Sequence, residues 1–311
     1  MRAAAGGLLA ALLAVAAAAG PLPVVEVAPG VFVHQGVHED FTPTNRGGIA
    51  NLAFVVGGTA VAVIDSGGSP AQARDLLAAI RARTDLPLAY VINTHDHPDH
   101  VLGNAVLAAE GAVVVGHARL PAAMATRGPF YLANMHRLLG AAAAEAELVP
   151  PTLTVAEGEP LRLDLGGRAL VLPARPGGAT RPGHTPPLSD LTALDLATGT
   201  LFAGDLLFME RLPVIDGSIT GWLAVLDELV ALPATRVVPG HGPPVAPWPD
   251  ALQPQRAYLA GLRDAVRARL DAGRSLPDTV AEVPPPAASW LLRAGNHERN
   301  VTAAYTELEW E

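Results

Sequence analysis

Six consecutive residues carry most of the chemistry that this sequence can offer. The run His95-Asp96-His97-Pro98-Asp99-His100 places three imidazoles and two carboxylates directly after a stretch that is typical of a strand. Imidazole nitrogens and carboxylate oxygens are common zinc ligands, and close spacing in a loop lets them converge on two neighbouring ions. The alternative is a solvated polar turn that happens to contain histidines. So dense a cluster is hard to explain by packing, and it predicts a metal site.

The elements that must position this cluster alternate between strands and helices. Val- and Ile-rich runs between residues 24 and 68 predict consecutive strands, and the run 88–93 predicts the strand that leads into the cluster. Apolar spacing and proline positions predict helices at 69–84, 103–110, 129–146, 252–272 and 290–310. This alternation indicates a layered α/β protein with helices on both faces of two sheets.

Composition limits the possible partners and ligands. The chain of 311 residues is half hydrophobic and has a formal net charge of −9, with no basic run, which excludes a nucleic-acid partner. All 21 basic residues are arginine, so an anionic group on a small-molecule substrate would have to be held by guanidinium. The absence of cysteine removes disulfides and thiolate ligands. A site of histidine and carboxylate suits zinc, and it leaves iron and manganese open.

The N-terminus predicts export. Arg2 precedes an apolar, alanine-rich stretch that ends in small residues, which is typical of a cleaved signal peptide. We therefore predict a leader at residues 1–20, a periplasmic mature protein and no stable membrane insertion after cleavage. The alternative is an uncleaved membrane anchor, which Pro21 and Pro23 weaken.

The motif HDHPDH resembles the HxHxDH signature of the metallo-β-lactamase superfamily, and later landmarks of that family follow in order. His184 stands in Pro-Gly-His-Thr, Asp205 in Phe-Ala-Gly-Asp and His241 in Val-Pro-Gly-His-Gly. The resemblance implies an α/β fold, the αββα metallo-β-lactamase sandwich. The implied organisation is a catalytic domain at residues 21–250 and a C-terminal helical extension at residues 251–311 packed on the core.

The same resemblance implies two zinc ions per chain, held by five histidines and two aspartates. The implied ligands are His95, His97 and His184 for one ion, Asp99, His100 and His241 for the second, and Asp205 as the bridge. A hydroxide between the two ions would hydrolyse the substrate without a covalent enzyme intermediate. Asp99 would also act in catalysis, by orienting the nucleophile or relaying a proton to the leaving group.

Two further residues are expected to support the ligands. Asp65 matches a family carboxylate that steadies the ligand loop, and Thr94 is expected to cap the same loop. The alternative for Asp65 is a plain turn-forming aspartate.

Finer similarity points to one branch of the family. Asp205 stands where one class of lactamases has a cysteine, so the chain departs from that class. The segments FAGDLLFMERLPVIDGSITGW and NHERNVTAAYTELEWE resemble the quinoprotein relay system zinc metallohydrolases, which implies association with a quinoprotein dehydrogenase system. The leading hypothesis is hydrolysis of a small ester, lactone, thioester or amide. The alternatives are a β-lactam hydrolase, an iron-dependent oxidoreductase of the same fold, and a non-catalytic zinc-stabilised partner protein.

The segment LLFMERLPVIDGSITGW is predicted to overhang the metals and to contact the substrate. Phe208 and Met209 would form an apolar wall, and Arg211 would hold an anionic group on the substrate. The alternative for Arg211 is a structural ion pair with Glu210, Asp216 or another acid.

Overall fold

The computed structural model describes residues 20–175, 189–287 and 289–311. The predicted leader, apart from Gly20, and the predicted ligand His184 lie outside the described residues. Within the described part of the chain, no helix combines the length and the apolar character needed to cross a membrane.

Two sheets form the centre of the fold. The first has its strands in sequence order, antiparallel from β1 to β4 and parallel from β4 to β7. Its strands are β1 (Val25–Ala28), β2 (Val31–His34), β3 (Leu52–Val56), β4 (Val61–Ile64), β5 (Leu88–Ile92), β6 (Val113–His117) and β7 (Leu153–Val155).

The second sheet is antiparallel except for one central parallel pair, and it runs in the order β13-β12-β11-β10-β9-β8. Its strands are β8 (Leu161–Asp164), β9 (Ala169–Leu172), β10 (Ala193–Asp195), β11 (Thr200–Phe208), β12 (Arg236–His241) and β13 (Ala246–Pro247). The parallel pair is β11 and β12, so the carboxyl ends of these two long strands meet at one edge.

Helices cover both outer faces. They are α1 (Pro70–Arg81), α2 (Pro98–Val101), α3 (Asn104–Ala108), α4 (Leu120–Leu139), α5 (Ile219–Val230), α6 (Gln253–Asp271), α7 (Leu276–Glu282) and α8 (Arg293–Leu308). Helix α1 illustrates the local causes, since the Ser69 hydroxyl accepts a hydrogen bond from the Gln72 N–H and Pro70 occupies the first turn.

Strands β3, β4 and β11 are buried on both faces, which explains their continuous hydrophobic runs. Successive side chains of a strand point to opposite faces. In β3, Ala53 and Val55 pack between the sheets with Phe202 of β11, whereas Leu52 and Phe54 pack on the outer face near α1. Burial of each larger side chain contributes about 1.5–3 kcal/mol to stability. The predicted αββα sandwich is confirmed.

The C-terminal helices pack on the outer face of the second sheet. Leu259 and Leu262 of α6 and Val301 and Leu308 of α8 share one hydrophobic cluster with Leu226 of α5. The helical extension therefore shares a core with the sandwich, while the exact boundary at residue 250 stays a prediction.

One predicted element is misplaced. The helix expected at 129–146 begins instead at Leu120, with Pro121 in its first turn, and ends at Leu139. Pro129 lies inside this helix. Residues 140–143 continue as a short 3-10 helix, so the helical region reaches to within three residues of the expected end.

Candidate metal centre

The loop after β5 and the ends of β11 and β12 meet at one edge of the sandwich. They bring together two groups of side chains, and within each group the potential ligand atoms lie within 4.8 Å of one another. The first group is His95, His97 and Asp205, and the second is Asp99, His100 and His241. Six of the seven predicted ligands therefore converge, and the seventh, His184, lies outside the described residues.

Asp205 lies between the two groups. Its Oδ2 is 3.6 Å from His95 Nε2 and 3.9 Å from His97 Nδ1. Its Oδ1 is 3.3 Å from His100 Nε2 and 3.4 Å from His241 Nε2. Each oxygen thus faces one group, which is the arrangement that a bridging carboxylate requires.

Hydrogen bonds fix the ring nitrogen that each histidine presents. His100 Nδ1 donates to Asp65 Oδ2 at 2.8 Å, and His241 Nδ1 donates to the Ile49 carbonyl at 2.7 Å. A carboxylate and a carbonyl only accept, so both protons sit on Nδ1 and both Nε2 lone pairs face the cluster. His97 has the opposite orientation, since its Nε2 contacts Asp216 at 3.0 Å and its Nδ1 faces Asp205.

His95 is oriented through Thr94. The Thr94 hydroxyl donates to Asp65 Oδ2 at 2.8 Å, so it accepts from His95 Nδ1 at 3.0 Å. His95 Nε2 is then left with a lone pair directed at the cluster.

Several buried polar atoms of the cluster have no hydrogen-bond partner in the described structure: His95 Nε2, His100 Nε2 and Asp205 Oδ1. An unsatisfied buried polar group costs about 1–3 kcal/mol, so natural folds rarely keep several side by side. All three point into the same small space and are ligand types of zinc. The residues therefore fit a pair of metal ions.

The Asp65 carboxylate contacts the ligand loop at Thr94 and His100. Its side chain is only 2% exposed, and besides His100 and the Thr94 hydroxyl it accepts a hydrogen bond from the Thr94 N–H at 2.8 Å. Its φ of 59° is uncommon for a residue other than glycine. This backbone conformation turns the carboxylate back toward the loop after β5.

Two glycines in the sequence motifs have steric causes. A Cβ on Gly240, which precedes His241, would lie 2.1 Å from Asp205 Oδ1. Gly204, which precedes Asp205, has a φ of 54°, and its Cβ would lie 2.6 Å from that of Thr94. The motifs FAGD and PGHG thus let backbone and ligands approach closely.

The electrostatics follow from the mixture of buried acids and imidazoles. Burial opposes ionisation of Asp205, but the surrounding imidazoles, His241 foremost, hold its pKa well below the usual range. Burial would lower the pKa of His97, whereas its contacts with Asp205 and Asp216 raise that pKa to about 10. Burial raises the pKa of the nearby Asp190 to about 6.

A charged network outside the ligands was not predicted. Arg127 of α4 contacts both oxygens of Asp96, at 3.0 and 2.7 Å, and reaches Asp216 at 2.5 Å. Asp216 in turn holds His97. The position of Asp96 inside the histidine motif was the only sequence signal for this network.

The ligand cluster lines a cavity of about 380 Å³. Aromatic and apolar side chains cover much of its wall, among them Phe41, Phe130, Tyr131, Val214 and Trp222. A cavity of this volume, with an apolar wall beside a group of converging polar side chains, is typical of sites for small molecules.

The two residues predicted to form the apolar wall, Phe208 and Met209, lie in different places. Phe208 lines the cavity and stacks on the His241 ring, with centroids 4.9 Å apart. Met209 is not among the lining residues and packs instead on the hydrophobic cluster under the C-terminal helices, so the structure does not place it in the cavity wall. The cause is the alternation of neighbouring side chains along an extended chain.

Arg211 lines the cavity and is only 8% exposed, yet it forms no ion pair with any acid of the described residues. The predicted alternative partners are engaged elsewhere, since Glu210 contacts His38 and Asp216 contacts His97. Arg211 Nε has no partner within the described part, and its Nη1 approaches only His241 Nδ1, at 3.4 Å. That nitrogen already donates its proton to a carbonyl, so it cannot accept.

A sequence model of the metallo-beta-lactamase superfamily matches residues 45–241, which is more than half of the chain and spans every predicted ligand. The chain belongs to the metallo-beta-lactamase superfamily. Members of this superfamily are mostly hydrolases.

Individual relatives include sulfatases and lactamases. The linear primary-alkylsulfatase of Pseudomonas sp. is 25% identical over an alignment of 273 residues, and the match covers 73% of this chain and 49% of the relative. The chain thus spans about half the length of that curated relative.

Solved structures of several members of the superfamily share the fold of this chain. The stereoselective inverting sec-alkylsulfatase of Pseudomonas sp. has a TM-score of 0.69 at 18% identity, over 93% of this chain and 50% of that one. The metallo-beta-lactamase from Pontibacter korlensis has a TM-score of 0.60 at 19% identity, over 77% of this chain and 99% of that one. At these identities the likeness shows the fold alone.

Proposed function

We propose that this protein is a dinuclear zinc hydrolase of small molecules. The observation that carries the proposal is Asp205, whose two oxygens face two separate groups of nitrogen and oxygen ligands. His184 is proposed as the third histidine of the first group. Two bound zinc ions would supply water activation and polarisation of the scissile bond.

The residues around the ligands have separable roles in this proposal. Asp99 lines the cavity, and its Oδ2 lies 3.4 Å from His241 Nε2. Its carboxylate would orient the attacking water, accept a proton from it and deliver that proton to the leaving group. Phe208 and the aromatic wall would exclude bulk water from the reacting bond.

The substrate is proposed to be an ester, lactone, thioester or amide that carries an anionic group. Support comes from Arg211, because a buried guanidinium cannot lose its proton and is costly to bury without an anion. The similarity to a linear primary-alkylsulfatase adds sulfate esters to the candidates. The apolar wall favours an organic portion of moderate size next to the charge.

The cellular setting is also a proposal. The signal-like residues 1–20 support export to the periplasm, and the segments around Asp205 and in α8 support association with a quinoprotein dehydrogenase system. N-terminal sequencing of the exported protein would test the first point, since a retained Met1 would favour a membrane anchor.

A substrate screen on the two-zinc form tests the function. The panel contains lactones, thioesters, phosphoesters, alkyl sulfates and β-lactams, each as a charged and a neutral member where chemistry allows. We expect turnover of one class, preference for its anionic member, and loss of turnover in Asp99→Asn. No hydrolysis by the two-zinc form, or iron with oxidation activity in protein purified without added metal, would overturn the proposal.

A further inference from the structure

The loop between β11 and α5, residues 209–218, carries two of the side chains that shape the cavity. Arg211 lies in its first half, and Asp216, which contacts His97, lies in its second half. A loop of this kind has few contacts of its own, so other parts of the chain must hold it.

The contacts that hold this loop come from the C-terminal extension. The backbone of Leu291 accepts a hydrogen bond from the Leu212 N–H at 3.0 Å and donates one to the Glu210 carbonyl at 2.7 Å. Glu307 of α8 accepts from the Ile219 N–H at 2.6 Å, immediately after the loop. The C-terminal extension therefore forms hydrogen bonds at both ends of the loop.

Asn300 of α8 fixes the middle of the loop. Its side chain is 0% exposed, its Oδ1 accepts from the Ile215 N–H at 2.9 Å, and its Nδ2 donates to the Pro213 carbonyl at 2.7 Å. Nδ2 also donates to the Tyr258 hydroxyl at 3.0 Å. One fully buried amide thus satisfies two backbone groups that lie between Arg211 and Asp216.

We propose that Asn300 is a positioning residue for substrate binding, and that the C-terminal extension sets the preference of the cavity for anionic substrates by fixing the β11–α5 loop. Helix α8 also brings Arg299 to the cavity wall. The extension is then part of the binding site and not only a cover for the second sheet. The expected effect on substrate preference rests on the proposed hydrolase function. The role of Asn300 in holding the loop does not depend on that function.

The structural test uses trypsin, which cleaves after arginine. In the wild-type protein the bond after Arg211 is protected, since Arg211 and Leu212 are both buried. Asn300→Ala removes two hydrogen bonds to the loop, so we expect cleavage after Arg211 to become about tenfold faster, measured by mass spectrometry of the released peptides. The matched control is Val301→Ala, the next residue of α8, which is buried in the core and does not hydrogen-bond the loop through its side chain.

The kinetic test uses an ester that bears a carboxylate and its neutral isostere. Asn300→Ala is expected to lower kcat/KM for the anionic ester by about tenfold, mainly through KM, and to change that for the neutral ester far less. Any decrease of kcat/KM in Val301→Ala should be the same for the anionic and the neutral ester. If Asn300→Ala does not fold, Asn300→Asp serves instead, because it keeps the acceptor for Ile215 but loses the donor to Pro213.

The outcomes separate this inference from the proposed function. Equal cleavage rates after Arg211 in Asn300→Ala and Val301→Ala would overturn the positioning role, whatever the activity. Faster cleavage with an unchanged preference for the anionic ester would overturn the link to specificity. If wild-type protein hydrolyses neither ester, the proposed function fails, and the proteolysis still decides whether Asn300 holds the loop.

Discussion

Replacing Asp65 by asparagine tests how the ligand loop is organised. The left-handed backbone at this position suits asparagine, so the change removes charge and acceptors with little backbone strain. The amide oxygen can keep the hydrogen bond from the Thr94 N–H, but the amide nitrogen then faces the Thr94 hydroxyl and His100 Nδ1, which are both donors. His100 must move its proton to Nε2 or turn away.

The magnitude follows from that conflict. Loss of an orienting contact behind a ligand typically costs about 10- to 100-fold in metal affinity. We expect this loss at the group that contains His100 and a smaller one at the group that contains His97. Competition of the protein with a chromophoric chelator for zinc measures both affinities in one titration.

Asp75→Asn is the matched control, because Asp75 is another buried acid, paired with Arg46 outside the metal centre. It should reduce stability and leave both zinc affinities unchanged. If Asp65→Asn binds both ions as tightly as the wild-type protein, or if both variants lose affinity equally, the assignment of Asp65 as the support of His100 is refuted.

Three further predictions concern other parts of the molecule. Arg211→Ala should leave metal content and folding intact and lower kcat/KM for an anionic substrate by about ten- to a hundredfold. Lower thermal stability with an unchanged kcat/KM per folded molecule would instead show that Arg211 stabilises the fold and does not bind substrate. Elemental analysis should find two zinc ions in the wild-type protein and far less zinc in Asp205→Ala. His117→Ala should keep both ions, because His117 lies outside both ligand groups. Equal losses of zinc in the two variants would show that the site is misassigned. Burial opposes ionisation of Asp195, but hydrogen bonds from Arg168 hold its pKa below the ordinary 3.8. The ionised carboxylate therefore stabilises the fold fully above the pKa of the unfolded state, and this stabilisation disappears as pH falls through the pKa of the folded state. Asp195→Asn should lower the free energy of unfolding in urea by about 3–5 kcal/mol at pH 7, and this loss should shrink below about pH 4. A loss that is constant with pH would contradict the prediction.

Much of the fold, and the convergence of six of the seven predicted ligands, could be predicted because the signals are local. The run from His95 to His100 is contiguous and follows a strand, and the strands around it are continuous hydrophobic runs. Glycines beside Asp205 and His241 mark backbone that must pass close to a ligand. Local signals of this kind survive in the sequence even when tertiary structure is unknown.

The parts that were missed depend on distant pairing. Asp216 contacts His97 across 119 residues, and Arg127 contacts Asp96 across 31, which no spacing rule reveals. Met209 was misplaced because the sequence does not state which face of an extended segment points inward. The start of α4 was misplaced because the helix continues through Pro129, whereas Pro121 marks its first turn.

The ligands come from both sheets of the sandwich, and this has a consequence for the stability of the folded protein. His95 and Asp99 follow a strand of the first sheet, whereas Asp205 and His241 belong to the second. Ions bound between them would act as a reversible cross-link, in addition to the apolar packing and the hydrogen bonds that join the two layers. By mass action, a hundredfold excess of metal over its dissociation constant adds about 2.7 kcal/mol to the free energy of unfolding. In a chain without cysteine, the strength of this cross-link would follow the supply of metal around the protein and not the redox state of its compartment.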